Sequence, residues 1–196
     1  GALDARQAIT ARGRRMLALG THPRLAAMLL ASNDPPRIDL ACDLAALIEA
    51  RDPLRSRSDA LAERWQALAA FRNGRAAADA NRAALAAIDA ASRQWRRRLR
   101  CAALPPVNVP THELGDLLAH AFPDRIAKQH PQDPKRYQLA NGRMAKLFDG
   151  AVVHGEPWLG GTLPGTREPE FSSEEYDGVT WRIVRQRQQT VVGELI

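Results

Sequence analysis

Apolar residues in the first hundred positions recur at helical spacing and divide that part of the chain into segments. Pro23 is placed to open a helix that ends before Pro35-Pro36. The run from Ile38 to Glu49 is apolar on most sides, which predicts a helix buried at the centre of a bundle. Ser58 is a candidate N-cap for a further helix. One stripe of that helix carries Leu61, Trp65 and Leu68.

The helix predicted over Asp79 to Arg100 has two unlike faces. Its packing face holds Leu85, Ile88, Ser92, Trp95 and Leu99. At about 100° per residue the opposite side holds Arg93, Arg96, Arg97 and Arg100. These guanidinium groups repel one another, and no Glu stands four residues away to balance them. The strip is either a solvated helix surface or a surface that faces phosphates, and the missing acidic partners favour phosphates.

A proline-rich seam at Leu104 to Pro110 separates this helical half from a turn-rich half. After it, Thr111 is placed to cap a short helix, and Asn141-Gly142 between two strand-like runs predicts a hairpin. Further strands are expected at Pro157-Trp158-Leu159 and around Trp181, with the closing run Val191 to Ile196 paired to the strand at Trp181. The pattern predicts an α+β protein: a mainly α helical bundle followed by a small antiparallel sheet or barrel.

The charge of the chain lies in its helical half. Residues 1–104 carry 18 arginines against ten acidic residues, whereas residues 105–196 carry ten cations against twelve acids, for a total of +6. A field of that sign favours an anionic partner such as nucleic acid. An Arg-rich and Ala-rich base composition accounts for the same numbers, so charge alone leaves the question open.

The sequence contains none of the motifs that mark a self-sufficient enzyme. It has no phosphate-binding loop of the form GxxxxGK[ST] and no GxSxG nucleophile elbow. His112, Asp116 and His120 extend over about 12 Å of helix and cannot all meet one metal ion. Cys42 and Cys101 have no paired ligands nearby, so both are expected to be buried small residues. No apolar run is long enough to cross a membrane, and we expect a cytoplasmic protein that performs no catalysis by itself.

Several segments of the chain resemble a known family. The run Ile9 to Leu30, with Thr10-x-x-Gly13-Arg14-x-Met16 before His22-Pro23-Arg24-Leu25-Ala26, is similar to the helicase-associated region of bacterial DEAH-box helicases of the HrpB family. Later segments match the same family in the same order. These are Ala41 to Leu47, Arg51-Asp52-Pro53-Leu54, Phe122 to Ala127, Tyr137 to Arg143 and Pro157-Trp158-Leu159.

The resemblance implies an organisation and a set of partners. Residues 1–22 would end a degenerate winged helix, residues 23–104 would form the ratchet-like helical bundle, and residues 105–196 would form a short helix and an incomplete OB-like β domain. The RecA-like motor domains, with their ATP and magnesium, would belong to the rest of a larger helicase. Gly160-Gly161 stands where the family pattern leads us to expect an apolar strand to continue.

Two functional hypotheses follow. In the first, the chain is the accessory part of an ATP-dependent helicase and binds single-stranded RNA or DNA along Arg93, Arg96, Arg97 and Arg100. In the second, it is a free-standing helical module whose arginines meet an acidic protein.

Overall fold

In the computed structural model, the first two-thirds of the chain fold mainly as helices. The structure describes residues 1–31, 33–55, 60–75, 78–101, 109–147, 151, 153, 155–162, 181–182 and 191–194. Within these ranges the helices are α1 (Ala11–Leu19), α2 (Pro23–Leu29), α3 (Pro35–Glu49), α4 (Leu61–Arg72), α5 (Arg82–Leu99) and α6 (Thr111–Ala121). A 3₁₀ turn at Pro123–Arg125 leads from α6 into the strands. The predicted N-cap Ser58 lies outside the described residues.

The described strands form one mostly antiparallel sheet. They are β1 (Ile126–His130), β2 (Asp133–Leu139), β3 (Met144–Lys146), β4 (Trp158–Thr162), β5 (Trp181–Arg182) and β6 (Val191–Glu194). Their order is β5-β3-β2-β1-β4-β6, and β3 and β5 are the parallel pair. The architecture is therefore α+β, as the sequence predicts, and the predicted hairpin is present with Gly142 at a positive φ of 84°.

Two expectations about the last strands need correction. The closing strand β6 pairs with β4 and not with the strand at Trp181, because β5 and β6 lie at opposite edges of the sheet. Gly160 and Gly161 do not interrupt β4, since both pair with residues of β6. Backbone pairing on both sides of β4 supplies the hydrogen bonds that hold these glycines extended.

The main hydrophobic core lies between the helices, and α3 runs through it. Residues Asp39 to Leu47 are buried on every side of α3, as its apolar pattern predicts. The prolines Pro35 and Pro36 begin α3 rather than only ending the preceding run, because a proline fits the first helical turn, where its missing N–H is not needed. Helix α6 joins the same core through Leu114, Leu117 and Leu118.

Helix α6 also contacts the sheet, at strands β4 and β6. A second, smaller core under the sheet contains Ala127, Tyr137 and Leu159. Bundle and sheet are thus connected mainly through α6, and α4 adds a contact with β6. Among the described helices, none combines the length and hydropathy that a membrane span requires.

Candidate nucleic-acid interface

Helix α5 carries the predicted arginine strip, and its two ends are well defined. At its start the side chain of Asn81 accepts a hydrogen bond from the backbone N–H of Ala84 at 3.1 Å. At its end Arg100 adopts the left-handed conformation, with φ 53°. Three arginines lie in the last turn, where positive charge stabilises the helix dipole. Leu85, Ile88, Ser92 and Trp95 are buried as predicted.

Arg96 does not lie on the exposed side of α5, so that part of the predicted strip is wrong. Its side chain is only 8% exposed, and it pairs with two carboxylates of α3. The Nε donates to Asp39, and Nη2 donates to an oxygen of Asp43 at 2.7 Å. The physical reason is helical spacing: Arg96 stands four residues after the buried Ser92 and shares its face.

Asp43 is the centre of a buried polar network that joins α3, α4 and α5. Arg72 of α4 donates to both of its oxygens at 2.7 Å, which is a bidentate ion pair. The hydroxyl of Ser92 donates to the same carboxylate at 2.5 Å, and Nε1 of Trp65 donates to it at 3.2 Å. Together with Arg96, these donors satisfy a carboxylate that is completely buried.

The network balances its own charge. It contains three carboxylates and three guanidinium groups, which are Asp39, Asp43, Asp89, Arg72, Arg93 and Arg96. Buried charges are tolerated when each has a partner and further hydrogen bonds. Half of the predicted arginine strip, Arg93 and Arg96, is engaged in this network.

Burial and ion pairing have opposite effects on the pKa values of the aspartates in this network. Burial raises the pKa of Asp39, and the hydrogen bond from Arg96 opposes that rise only in part. Burial also acts to raise the pKa of Asp89, but hydrogen bonds from Arg72 and Arg93 outweigh it, and the pKa is lowered. Asp89 therefore stays charged at neutral pH and keeps both arginines ion-paired.

The outer end of α5 keeps a cationic surface. The side chain of Arg93 is 63% exposed, but it pairs with Asp89, four residues earlier, so the expectation that the strip lacks acidic partners is wrong at this residue. Arg97 and Arg100 are exposed, and neither has a carboxylate partner among the described residues. We call Arg93, Arg97 and Arg100 the α5 surface. Of the predicted residues, these three are the ones that can reach a polyanion.

Arg98, which the sequence did not single out, anchors this end of α5. Its Nη1 donates to the carbonyl of Leu19 at 2.7 Å, and its guanidinium lies 5.0 Å from the centroid of the Trp95 ring. The hydrogen bond ties the last turn of α5 to the end of α1. The α5 surface therefore stands on a fixed helix end, which limits the entropy lost when a ligand binds.

The sequence held a signal for the burial of Arg96. Asp39 and Asp43 stand four residues apart in a helix whose pattern predicts burial on most sides. Buried aspartates require cationic or hydrogen-bonding partners. A helix that packs across these aspartates is therefore expected to bury an arginine against them.

The two cysteines differ in burial, although both are expected from the sequence to be buried. Cys42 is buried, and burial raises its pKa to about 12, whereas Cys101 is half-buried.

The described part of the chain brings no group of three or more His, Cys, Asp or Glu side chains into metal-binding geometry. His22 caps α2, where its Nδ1 accepts a hydrogen bond from the backbone N–H of Arg24 at 3.2 Å. This local contact accounts for His22 without a ligand.

Comparison with known proteins finds relatives of this chain. The chain is 34% identical over 164 residues to the ATP-dependent RNA helicase HrpB of Escherichia coli (strain K12), a match that covers 81% of this chain and 17% of that protein. The chain is related to the HrpB helicases. No protein-family model matches the sequence.

Two solved HrpB structures share the fold. The E. coli DExH-box NTPase HrpB matches 97% of this chain and 19% of its own, with a TM-score of 0.66 and 28% identity. The E. coli DEAH/RHA helicase HrpB matches 83% of this chain and 18% of its own, with a TM-score of 0.61 and 31% identity. The chain thus spans less than a fifth of the length of these HrpB relatives.

Proposed function

We propose that the chain is the accessory nucleic-acid-binding part of an ATP-dependent helicase of the DEAH-box, HrpB type. In this proposal it holds single-stranded RNA or DNA through the α5 surface. The observation that carries the proposal is that Arg97 and Arg100 are exposed at the end of a helix, without a carboxylate partner in the described part of the chain, which is related to HrpB helicases. Guanidinium groups in that state are free to contact phosphates.

The charge distribution supports a polyanionic ligand. The helical half keeps a large excess of arginine over acid, although Arg72 and Arg96 are taken up by the buried network. Phosphate contacts give little sequence discrimination and depend strongly on salt. We therefore expect binding that weakens steeply as ionic strength rises and that varies little among sequences.

The proposal also covers the surroundings of the bundle. We propose that residues 1–22 end a winged helix and that the sheet is an OB-like domain, an assignment supported by the three-strand meander β1-β2-β3 with β4 beside β1. RecA-like motor domains, with ATP and magnesium, would complete the helicase. The small share of the HrpB relatives that this chain matches supports the expectation that the motor lies outside it.

The test is the salt dependence of binding to a labelled oligothymidylate. The double variant Arg97→Gln, Arg100→Gln should bind with a less steep salt dependence. The negative slope of log affinity against log salt should shrink in magnitude by about 1.4, because each lost phosphate contact on a single strand is worth about 0.7. Arg75→Gln, which removes an exposed arginine at the end of α4, is the matched control and should leave the slope unchanged.

The outcome separates nucleic acid from an acidic protein as the ligand. An unchanged slope in the double variant would remove the α5 surface from the binding site. Competition by polyglutamate as effective as competition by oligothymidylate would favour the acidic-protein hypothesis instead.

A further inference from the structure

The sheet has a buried face and an exposed face. Ala127, Tyr137 and Leu159 lie on the buried face and form the smaller core. Directly opposed residues of paired strands share a face, and successive residues alternate between faces. The register therefore assigns a cross-strand row to the other face, and this row contains Trp158, Lys128, Gln138 and Met144.

Trp158 is an unusual residue on this exposed face. It is 38% exposed, whereas Trp65 and Trp95 are buried in the helical core. The ammonium of its cross-strand neighbour Lys128 lies 5.5 Å from the centroid of the indole ring. Strand β4 is paired on both sides, so the indole stands on a rigid part of the sheet. An accessible aromatic ring beside a cation on a paired strand has the composition of a platform on which a nucleic-acid base can stack.

The charges on this face are positive. The next row of the exposed face places Arg136 opposite Lys146. Nε of Arg136 lies 3.2 Å from Oδ2 of Asp133, and this carboxylate partly neutralises the charge of Arg136. Lys128 and Lys146 have no carboxylate partner among the described residues. Neither of the two cross-strand rows contains an acidic residue.

We propose that this exposed sheet face is a second contact site for single-stranded nucleic acid, with one base stacked on Trp158 and the flanking phosphates held by Lys128 and Lys146. We call it the Trp158 platform. Aromatic side chains stack any base because every base has a π face, and neighbouring cations hold the backbone. The inference rests on the proposed function, because it gives the same ligand a second point of attachment.

The charge pattern chooses this ligand over the alternatives. A second copy of the chain would place the same cations against each other across a symmetric contact, which costs free energy. An acidic peptide would pair with the lysines but has no need of an exposed indole. A single strand uses both groups at once.

The test combines affinity with indole fluorescence in the intact chain. Trp158→Ala should weaken binding of a labelled oligothymidylate about 5- to 100-fold, and Trp158→Phe should keep most of the affinity because a phenyl ring still stacks. Base stacking should quench part of the tryptophan emission of the wild-type chain, and this part of the quenching should be missing in Trp158→Phe. Leu17→Ala, which removes the side chain of an apolar residue 75% exposed on α1, is the control and should bind normally.

The lysine arm gives an independent readout. Lys128→Gln should reduce the magnitude of the negative slope of log affinity against log salt by about 0.7, since it removes one phosphate contact. Thermal unfolding should be unchanged in Lys128→Gln and Leu17→Ala, whose side chains are exposed, and Trp158→Phe keeps a ring on the strand as the stability control for Trp158→Ala.

Failure of this inference and failure of the proposed function give different results. If the wild-type chain binds oligothymidylate but Trp158→Ala binds equally well, the Trp158 platform is excluded while the α5 surface stands. If the wild-type chain binds neither oligothymidylate nor oligouridylate, both are excluded. Polyglutamate that competes as well as the oligonucleotide, and loses its effect in Trp158→Ala, would overturn the choice of ligand.

Discussion

At the scale of single residues, the clearest result is that neighbouring arginines of one helix have opposite roles. Arg96 lies inside, paired with Asp39 and Asp43, and Arg97 lies outside. A rotation of about 100° separates them. The sequence identified the helix and its basic character correctly, but the choice between the two arginines depends on which residues of α3 face them. That information lies some fifty positions away in the chain and is supplied only by packing.

This difference can be measured as stability. Arg96→Gln should destabilise the fold by about 3–5 kcal/mol, because it leaves the buried carboxylate of Asp39 without its cation. Arg97→Gln should change the free energy of unfolding by less than about 0.5 kcal/mol, as is usual for an exposed side chain. Urea denaturation of the two variants is the measurement. Equal stabilities would mean that Arg96 is not a component of the core in solution.

Binding experiments must leave the buried Arg96 unchanged and alter only exposed arginines. A variant that replaces all four predicted arginines would lose affinity through unfolding as well as through lost contacts, and its result would not separate the two causes. Restricting the substitutions to Arg97 and Arg100 keeps the buried network intact.

At the scale of elements, helices were predictable where local pattern and local signals agree. Apolar residues at spacings of three and four predicted α5, and the continuous apolar run predicted α3. The pair Asn141-Gly142 predicted the β2-β3 hairpin. The pairing of β6 with β4 was not predictable in the same way. Partners in a sheet are chosen by contacts distant in sequence, and no local signal in β4 or β5 identifies which of the two strands pairs with β6.

The junction between the helical bundle and the sheet is held by a cluster of charged and aromatic side chains. Arg24 of α2 pairs with Asp124 in the 3₁₀ turn before β1, and one of the two hydrogen bonds measures 3.2 Å. The guanidinium groups of Arg24 and Arg125 lie 5.4 Å and 4.8 Å from the centroid of the Phe122 ring. The hydrogen bond from Arg24 lowers the pKa of Asp124, against the opposing effect of burial.

The lowered pKa makes the junction sensitive to acid. A depressed folded pKa contributes stability that is complete above the unfolded pKa of 3.8 and is lost as pH falls through the lower folded value. Asp124→Asn should therefore destabilise the chain at pH 7 by less than about 1 kcal/mol, because the pair is partly exposed. The difference from wild type should disappear in strong acid.

Urea midpoints measured between pH 7 and pH 2 check this prediction. Asp79→Asn is the matched control, since its side chain is exposed and has no arginine partner among the described residues. A deficit of Asp124→Asn that persists at the lowest pH would assign the effect to packing rather than to charge.

At the scale of the whole molecule, the two proposed contact surfaces belong to different parts of one structure. The α5 surface lies on the bundle, where α5 packs against α3 and α4. The Trp158 platform lies on the sheet, which contacts the bundle through α6. The sequence predicted the first surface through its charge, but it could not predict the second. Trp158 and Lys128 are thirty positions apart, and only the register of β1 against β4 makes them neighbours.

Separate surfaces on one strand should contribute independently to affinity. Contacts that share no partners usually add within about 0.3–0.5 kcal/mol. The chain with Arg97→Gln, Arg100→Gln and Trp158→Ala combined should therefore show an affinity loss equal to the product of the fold losses of the arginine variant and the tryptophan variant. Fluorescence anisotropy with one long oligothymidylate, at one salt concentration, measures all four affinities. A combined variant no weaker than the weaker of its two parents would contradict independent contributions, because it would show that the two sets of substitutions remove the same interaction energy.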